Sequence, residues 1–118
     1  MQLALDSGCS RIFAILTRPK GFRKPAPDIG RSARMIANSY HKYPYVREAL
    51  LTRNERYNAE LEKLEQLAAE GKAYIVYADK MAVENNTTDI KKLRSSYFDG
   101  YNQAQKEFPR WLEWLGIE

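Results

Sequence analysis

The sequence predicts an α/β protein with about two parallel strands and four to five helices, including one long amphipathic helix. Two short apolar runs rich in β-branched and aromatic residues, Ile12-Phe13-Ala14-Ile15-Leu16 and Ala73-Tyr74-Ile75-Val76-Tyr77-Ala78, have the length and composition of buried strands. Between them lies a stretch with helical periodicity, and a helix joining two strands makes a parallel, right-handed crossover the default. A second periodic stretch follows the later run.

Residues 1–7 read as the end of a helix, with Leu3 and Ala4 on its apolar face and Gly8 as C-cap. No capping residue precedes this helix, so the natural chain is expected to begin earlier. The first strand spans residues 11–17 and is expected to be buried on both faces. Residues 18–27 form a loop broken by Pro19, Gly21, Pro25 and Pro27. The loop leaves the carboxyl end of the strand, the edge of open α/β sheets where ligands bind.

Asp28 is placed to cap a helix running to about Tyr40, with Ala33, Ile36, Ala37 and Tyr40 on one face. Pro44 suits the first turn of a new helix. Val46, Leu50, Tyr57, Leu61, Leu64 and Ala68 recur at helical spacing, and Gly71 follows as a C′ glycine. Read as one helix, this stretch has roughly 26 residues and a length of about 39 Å at 1.5 Å per residue.

After the second strand, residues 79–87 form a polar loop, and Thr87 or Thr88 is the expected cap of the last helix. There Ile90, Leu93, Tyr97, Tyr101, Ala104 and Phe108 repeat at three and four. This pattern predicts that Tyr97 and Tyr101, like Tyr57 in the preceding helix, are core residues. Gly100 inside the helix implies a close backbone contact, because glycine there costs about 1 kcal/mol relative to alanine. Pro109 is expected to end or kink the helix, and the apolar tail of Trp111, Leu112, Trp114 and Leu115 carries two tryptophans that should dock on something. Two parallel strands make a poor sheet, since parallel sheets are usually larger and covered on both faces. The expected fold is therefore a fragment or needs a partner. Its open edge invites pairing, including with another copy of the chain.

Composition excludes several classes. The 118 residues suffice for one domain, and 44% hydrophobic with 29% charged residues fits a folded protein rather than a disordered one. No apolar run approaches the roughly 20 residues of a membrane-spanning helix, and residues 1–8 do not read as a signal peptide. The lone Cys9 rules out an internal disulfide, reads as a small buried hydrophobe and points to a reducing, cytoplasmic location. The net charge of +4 is uneven: residues 1–58 hold 11 Lys and Arg against 4 Asp and Glu, while residues 59–118 hold 8 against 11.

Catalytic and cofactor signatures are missing. There is no G-x-S-x-G elbow, no phosphate-binding loop and no dinucleotide fingerprint, and no metal or cofactor is expected. The only histidine, His41, reads as a helix-end residue. The tyrosines come without any nucleic-acid motif, so no nucleic-acid partner is expected. The feature with functional character is the basic loop. Arg18, Lys20, Arg23 and Lys24 are the residue types that contact phosphate or a membrane surface, and Phe22 between them suits lipid.

The same residues carry a resemblance. Ile15-Leu16-Thr17-Arg18-Pro19-Lys20-Gly21-Phe22-Arg23-Lys24 is similar to a stretch in a bacterial branch of the patatin-like phospholipases. The similarity continues in His41-Lys42-Tyr43-Pro44, in Glu48-Ala49-Leu50-Leu51-Thr52-Arg53-Asn54 with Tyr57-Asn58, in Glu70-Gly71-Lys72-Ala73, and from Ser96-Tyr97 to Gly100-Tyr101. That family consists of serine acyl hydrolases with an α/β/α sandwich and a Ser–Asp dyad. The resemblance implies that this chain is the C-terminal part, with both dyad residues upstream of Met1 and no catalytic residue within it. Asp6 does not qualify as the dyad aspartate, because no Gly-Gly or Gly-Ala follows it.

The implied organisation is one domain: 1–27 as the end of the sandwich core with the basic loop, 28–72 as a helical extension, and 73–118 as the last strand and C-terminal helices. The implied partners are the upstream catalytic part and a lipid or membrane surface, met peripherally. The other expectation is a non-enzymatic interaction module that binds an anionic partner through the loop 18–24.

Overall fold

The computed structural model describes residues 2–26, 30–84 and 86–117. It has two strands and five helices: α1 (Gln2–Asp6), β1 (Ile12–Leu16), α2 (Arg31–Ser39), α3 (Pro44–Leu51), α4 (Arg53–Ala69), β2 (Ala73–Tyr77) and α5 (Ile90–Leu115). The strands pair in parallel, from Ile12 opposite Ala73 to Leu16 opposite Tyr77. The α/β class and the two parallel strands therefore stand as expected, and a long helix is present, as α5. The chain divides into two compact units, one of Met1–Ser10 with Arg23–Gly71 and one of Arg11–Phe22 with Lys72–Glu118.

In the first unit α2 packs on α3 and α3 on α4. Pro44 opens α3, as its fixed φ and missing N–H favour. The Asp28 cap expected for α2 lies outside the described residues, and Gly30 stands at the N-cap position instead. His41 accepts its helix-end role, with Nδ1 2.9 Å from the Asn38 carbonyl.

The single helix of roughly 26 residues expected to start at Pro44 and stop before Gly71 is divided at Thr52. There the Thr52 hydroxyl donates to the Glu48 carbonyl at 2.8 Å, and the Arg56 guanidinium donates to the Ala49 carbonyl at 2.9 Å. These bonds satisfy carbonyls at the end of α3. Leu61 and Leu64 are the buried residues of α4, whereas Val46 is exposed. Gly71 ends the unit at φ 73°, the left-handed geometry that glycine adopts without strain, and its N–H bonds the Ala68 carbonyl at 3.0 Å. Cys9 is exposed, contrary to the burial expected of it. Its backbone N–H closes the end of α1 on the Ala4 carbonyl at 3.1 Å, so its position is set by the helix cap rather than by packing of the thiol.

The second unit is built on aromatic packing. Phe13 and Tyr74, paired across the sheet, stack with ring centroids 5.4 Å apart. Trp111 meets Phe13 edge-on at 5.7 Å, and Trp114 lies 5.7 Å from Tyr74. The tryptophans thus dock as expected, but on a continuous helix. α5 runs through Pro109 to Leu115. Proline removes one helical donor, and the contacts of Trp111 and Trp114 with the sheet hold the turns beyond it.

The cap of α5 is Asp89, not Thr87 or Thr88. Its carboxylate accepts from the N–H groups of Lys91 at 2.8 Å and Lys92 at 3.3 Å. Thr87 Oγ1 accepts the Glu84 N–H instead. Nor does Gly100 make the close contact expected of it, for a Cβ there would meet nothing within 4 Å.

β1 is not buried on both faces. Ala73 and Val76 of β2 are buried, but Ile15 in β1 is 66% exposed. Tyr97 and Tyr101 are exposed as well, and Tyr57 is half-buried. The pattern marks these helix faces as apolar, but in α5 the sheet takes up the neighbouring face that carries Gln103, Trp111 and Trp114.

Candidate functional site

The loop that leaves β1 begins within the sheet unit. Pro19 to Phe22 forms a β-turn closed by the Phe22 N–H on the Pro19 carbonyl at 3.2 Å. Gly21 has φ 81° at the third position, as a type II turn requires. Lys20 is exposed in the turn. The Arg18 guanidinium lies over the Phe22 ring at 4.8 Å, a cation–π contact of about 0.5–1 kcal/mol at such sites.

Arg23 and Lys24 belong to the helical unit, where both are held by α4. Arg23 meets Glu65 as a fork, Nη2 to Oε2 at 2.5 Å and Nη1 to Oε1 at 3.4 Å. Each partner is about one-third exposed, so the pair contributes little net stability, roughly 0–1 kcal/mol. Lys24 Nζ sits 4.2 Å from the centre of the Tyr57 ring. The Lys24 backbone is gripped from both sides by one side chain: its N–H donates to Asn58 Oδ1 at 2.9 Å, and its carbonyl accepts from Asn58 Nδ2 at 2.9 Å. Asn54, one helical turn earlier, donates to the Pro25 carbonyl at 3.1 Å. Of the four basic residues singled out from the sequence, two are thus occupied in fixing the loop to α4. Sequence reasoning missed Asn54 and Asn58 as the residues that fix it. Their signal was an amide pair spaced by four beside the apolar positions Tyr57 and Leu61.

At the carboxyl edge of the sheet a groove of about 520 Å³ opens between the strands and α5. Its lining includes Ile15, Val76 and Trp111 as apolar floor and Asp79, Asp99 and Lys106 at the rim. Gln103 fixes this edge, donating to the Tyr77 carbonyl at 2.7 Å and accepting the Asp79 N–H at 3.1 Å. Glu107 accepts from both Gln103, at 3.0 Å, and the Trp111 indole N–H, at 3.3 Å. The three side chains form a ladder at four-residue spacing along α5. Gly100 also lines the groove, so the absence of a side chain there leaves the space open. Among the described residues no group of three His, Cys, Asp or Glu is placed to hold a metal ion, and no helix is long and apolar enough to cross a membrane.

Residues 43–116 match a family described as a domain of unknown function, DUF6363. The chain belongs to the DUF6363 family. The match takes in α3, α4, β2 and α5 and leaves β1 and the basic loop ahead of it. No curated protein and no solved structure matches the chain. Within the DUF6363 stretch lie both asparagines that hold the loop and the Gln103–Glu107–Trp111 ladder.

Proposed function

We propose that this DUF6363 domain is the C-terminal segment of a patatin-like phospholipase, a lipid acyl ester hydrolase of the Ser–Asp dyad type, and is itself without catalytic activity. The observation that carries the reading is the open two-stranded sheet. Among the described residues each strand pairs on one edge alone, and Ile15, the fourth of the five residues of β1, is left largely exposed. A parallel sheet of this size is stable when further strands and a covering layer complete it. Upstream strands of an α/β/α sandwich supply both.

Two of the resembling stretches are also physically joined: Lys24 from the first is bound to Asn58 and meets Tyr57 of another, while Arg23 beside it is held by Glu65. In this reading the segment fixes the loop at the carboxyl edge of the sheet and borders the substrate site. The other reading, an interaction module that binds an anionic partner through residues 18–24, rests chiefly on Arg18 and Lys20, because Arg23 and Lys24 are engaged with α4.

The reading frame ahead of residue 1 tests the proposal. It should hold a G-x-S-x-G motif and, nearer, an Asp-Gly-Gly or Asp-Gly-Ala motif in frame. A start codon at Met1 with its own ribosome site and no such motifs overturns the reading. The chain expressed as it stands should not turn over a short acyl ester, and turnover that stays with it through purification overturns the statement that it is inactive.

A further inference from the structure

α5 carries an exposed face that its packing on the sheet does not use. Ile90, Tyr97 and Phe98 are 65%, 66% and 57% exposed, and Leu93, Tyr101 and Phe108 are exposed beside them. Tyr97 stacks on Tyr101 at 6.4 Å and meets Phe98 edge-on at 5.5 Å, so the rings form one patch. An apolar patch of four aromatic and two aliphatic side chains is large for a surface in water.

Two exposed cations, Lys91 and Arg94, flank the patch, while Lys92, Lys106 and Arg110 lie by spacing on the other side of the helix and the exposed Asp89 and Glu113 stand at its ends. Asp99 is half-buried at the rim of the groove, and Glu107 is taken up by Gln103 and Trp111. Helix stability does not account for the cations. Lys91, Lys92 and Arg94 sit in the first turns, where the helix dipole disfavours positive charge. By spacing, Arg94 shares the stripe of Ile90 and Phe98, and Lys91 lies two turns from Phe98 on the same side.

We propose that this face of α5 docks on an anionic lipid surface. An exposed helix with aromatic and aliphatic side chains interleaved with cations has the composition of an interfacial helix, whose rings enter the headgroup region while the cations meet lipid phosphates. The adjoining face is fixed to the sheet through Gln103, Trp111 and Trp114, so the helix is held in place while its exposed face docks. A second copy of the chain is disfavoured as the occupant, because it would set like charges against each other. The inference concerns a surface outside the groove and the basic loop, and it does not depend on the phospholipase reading.

The test is co-sedimentation of the 118-residue chain with phosphatidylcholine vesicles, with and without phosphatidylserine, alongside gel filtration. Each Lys or Arg near an anionic surface contributes a factor of about five in partitioning, so binding should be at least about tenfold tighter to the anionic vesicles. K91E/R94E should bind anionic and neutral vesicles alike. Y97A/F98A should weaken binding about tenfold while the circular dichroism and thermal midpoint stay unchanged, since both rings are exposed. K91R/R94K should bind as the parent does. Equal partitioning of the parent chain on both vesicles overturns the proposal. So does undiminished binding by Y97A/F98A, or a dimer in gel filtration that Y97A/F98A converts to monomer. A reading frame without the upstream hydrolase motifs sinks the phospholipase reading and leaves this result untouched.

Discussion

The guanidinium of Arg11 lies 4.8 Å above the ring of Trp114 and donates to the Trp114 main-chain carbonyl at 3.0 Å. Its other nitrogen donates to the Leu115 carbonyl at 3.2 Å. One residue ahead of β1 therefore caps the carboxyl end of α5, where a cation is favoured by the unpaired carbonyls and by the helix dipole. Arg11→Ala should lower stability by about 1 kcal/mol, the scale of such a contact on an exposed site. Arg11→Lys should restore part of this, because ammonium keeps the charge and loses the fork. Urea unfolding of the three chains checks the order.

Asn58 makes two bonds to a single backbone unit, so its loss leaves both the Lys24 N–H and the Lys24 carbonyl without this partner. Asn58→Ala should destabilise by about 1–2 kcal/mol. Asn58→Asp should be no better, since it keeps the acceptor but sets a carboxylate oxygen against the Lys24 carbonyl. Amide exchange separates this from general loosening: the Lys24 N–H should speed up in both variants while the amides of β1 and β2 keep their protection.

Two glycines should respond in opposite directions. Gly21 has φ 81° in its turn, so Gly21→Ala should cost about 1–2 kcal/mol for forcing an L-residue into the left-handed region. Gly100 is helical, and an added Cβ meets nothing within 4 Å. Gly100→Ala should therefore stabilise by about 0.5–1 kcal/mol. Thermal unfolding of the pair decides. A destabilised Gly100→Ala would mean that a contact at this position had been missed.

The ladder on α5 gives a further expectation. Gln103 holds the Tyr77 carbonyl and the Asp79 N–H together. Gln103→Leu keeps the volume and removes both bonds together with the one to Glu107. It should lower stability by about 1–2 kcal/mol and raise exchange at the Asp79 amide, whereas Gln105→Leu, on the exposed face, should change neither.

The strands, the Pro44 start and the Gly71 stop were legible because each follows from a local rule: an apolar run, a fixed φ, a residue that tolerates the left-handed region. What was not legible depended on distant partners or competing local bonds. Periodicity from Val46 to Ala68 does not show that Thr52 bonds back to Glu48 and divides the helix. The tyrosines at 97 and 101 fit an apolar stripe, but periodicity does not say which of two adjoining faces of α5 the sheet will take. The basic loop read as a set of four cations because its sequence is contiguous. That Glu65, Tyr57 and Asn58 would claim Arg23 and Lys24 is set by residues more than thirty positions away.

The pairing of Ile12 with Ala73 has a consequence for biosynthesis. β1 is made before β2 and waits while some sixty further residues are translated, on the order of several seconds at ribosomal speed. Until β2 emerges, the edge of the apolar run from Ile12 to Leu16 that β2 will take is open, and an open edge invites capture by other nascent chains or by chaperones. Translation pauses or rare codons between residues 17 and 72 should therefore lower the soluble yield of this protein more than pauses after residue 77, when the partner strand is already available.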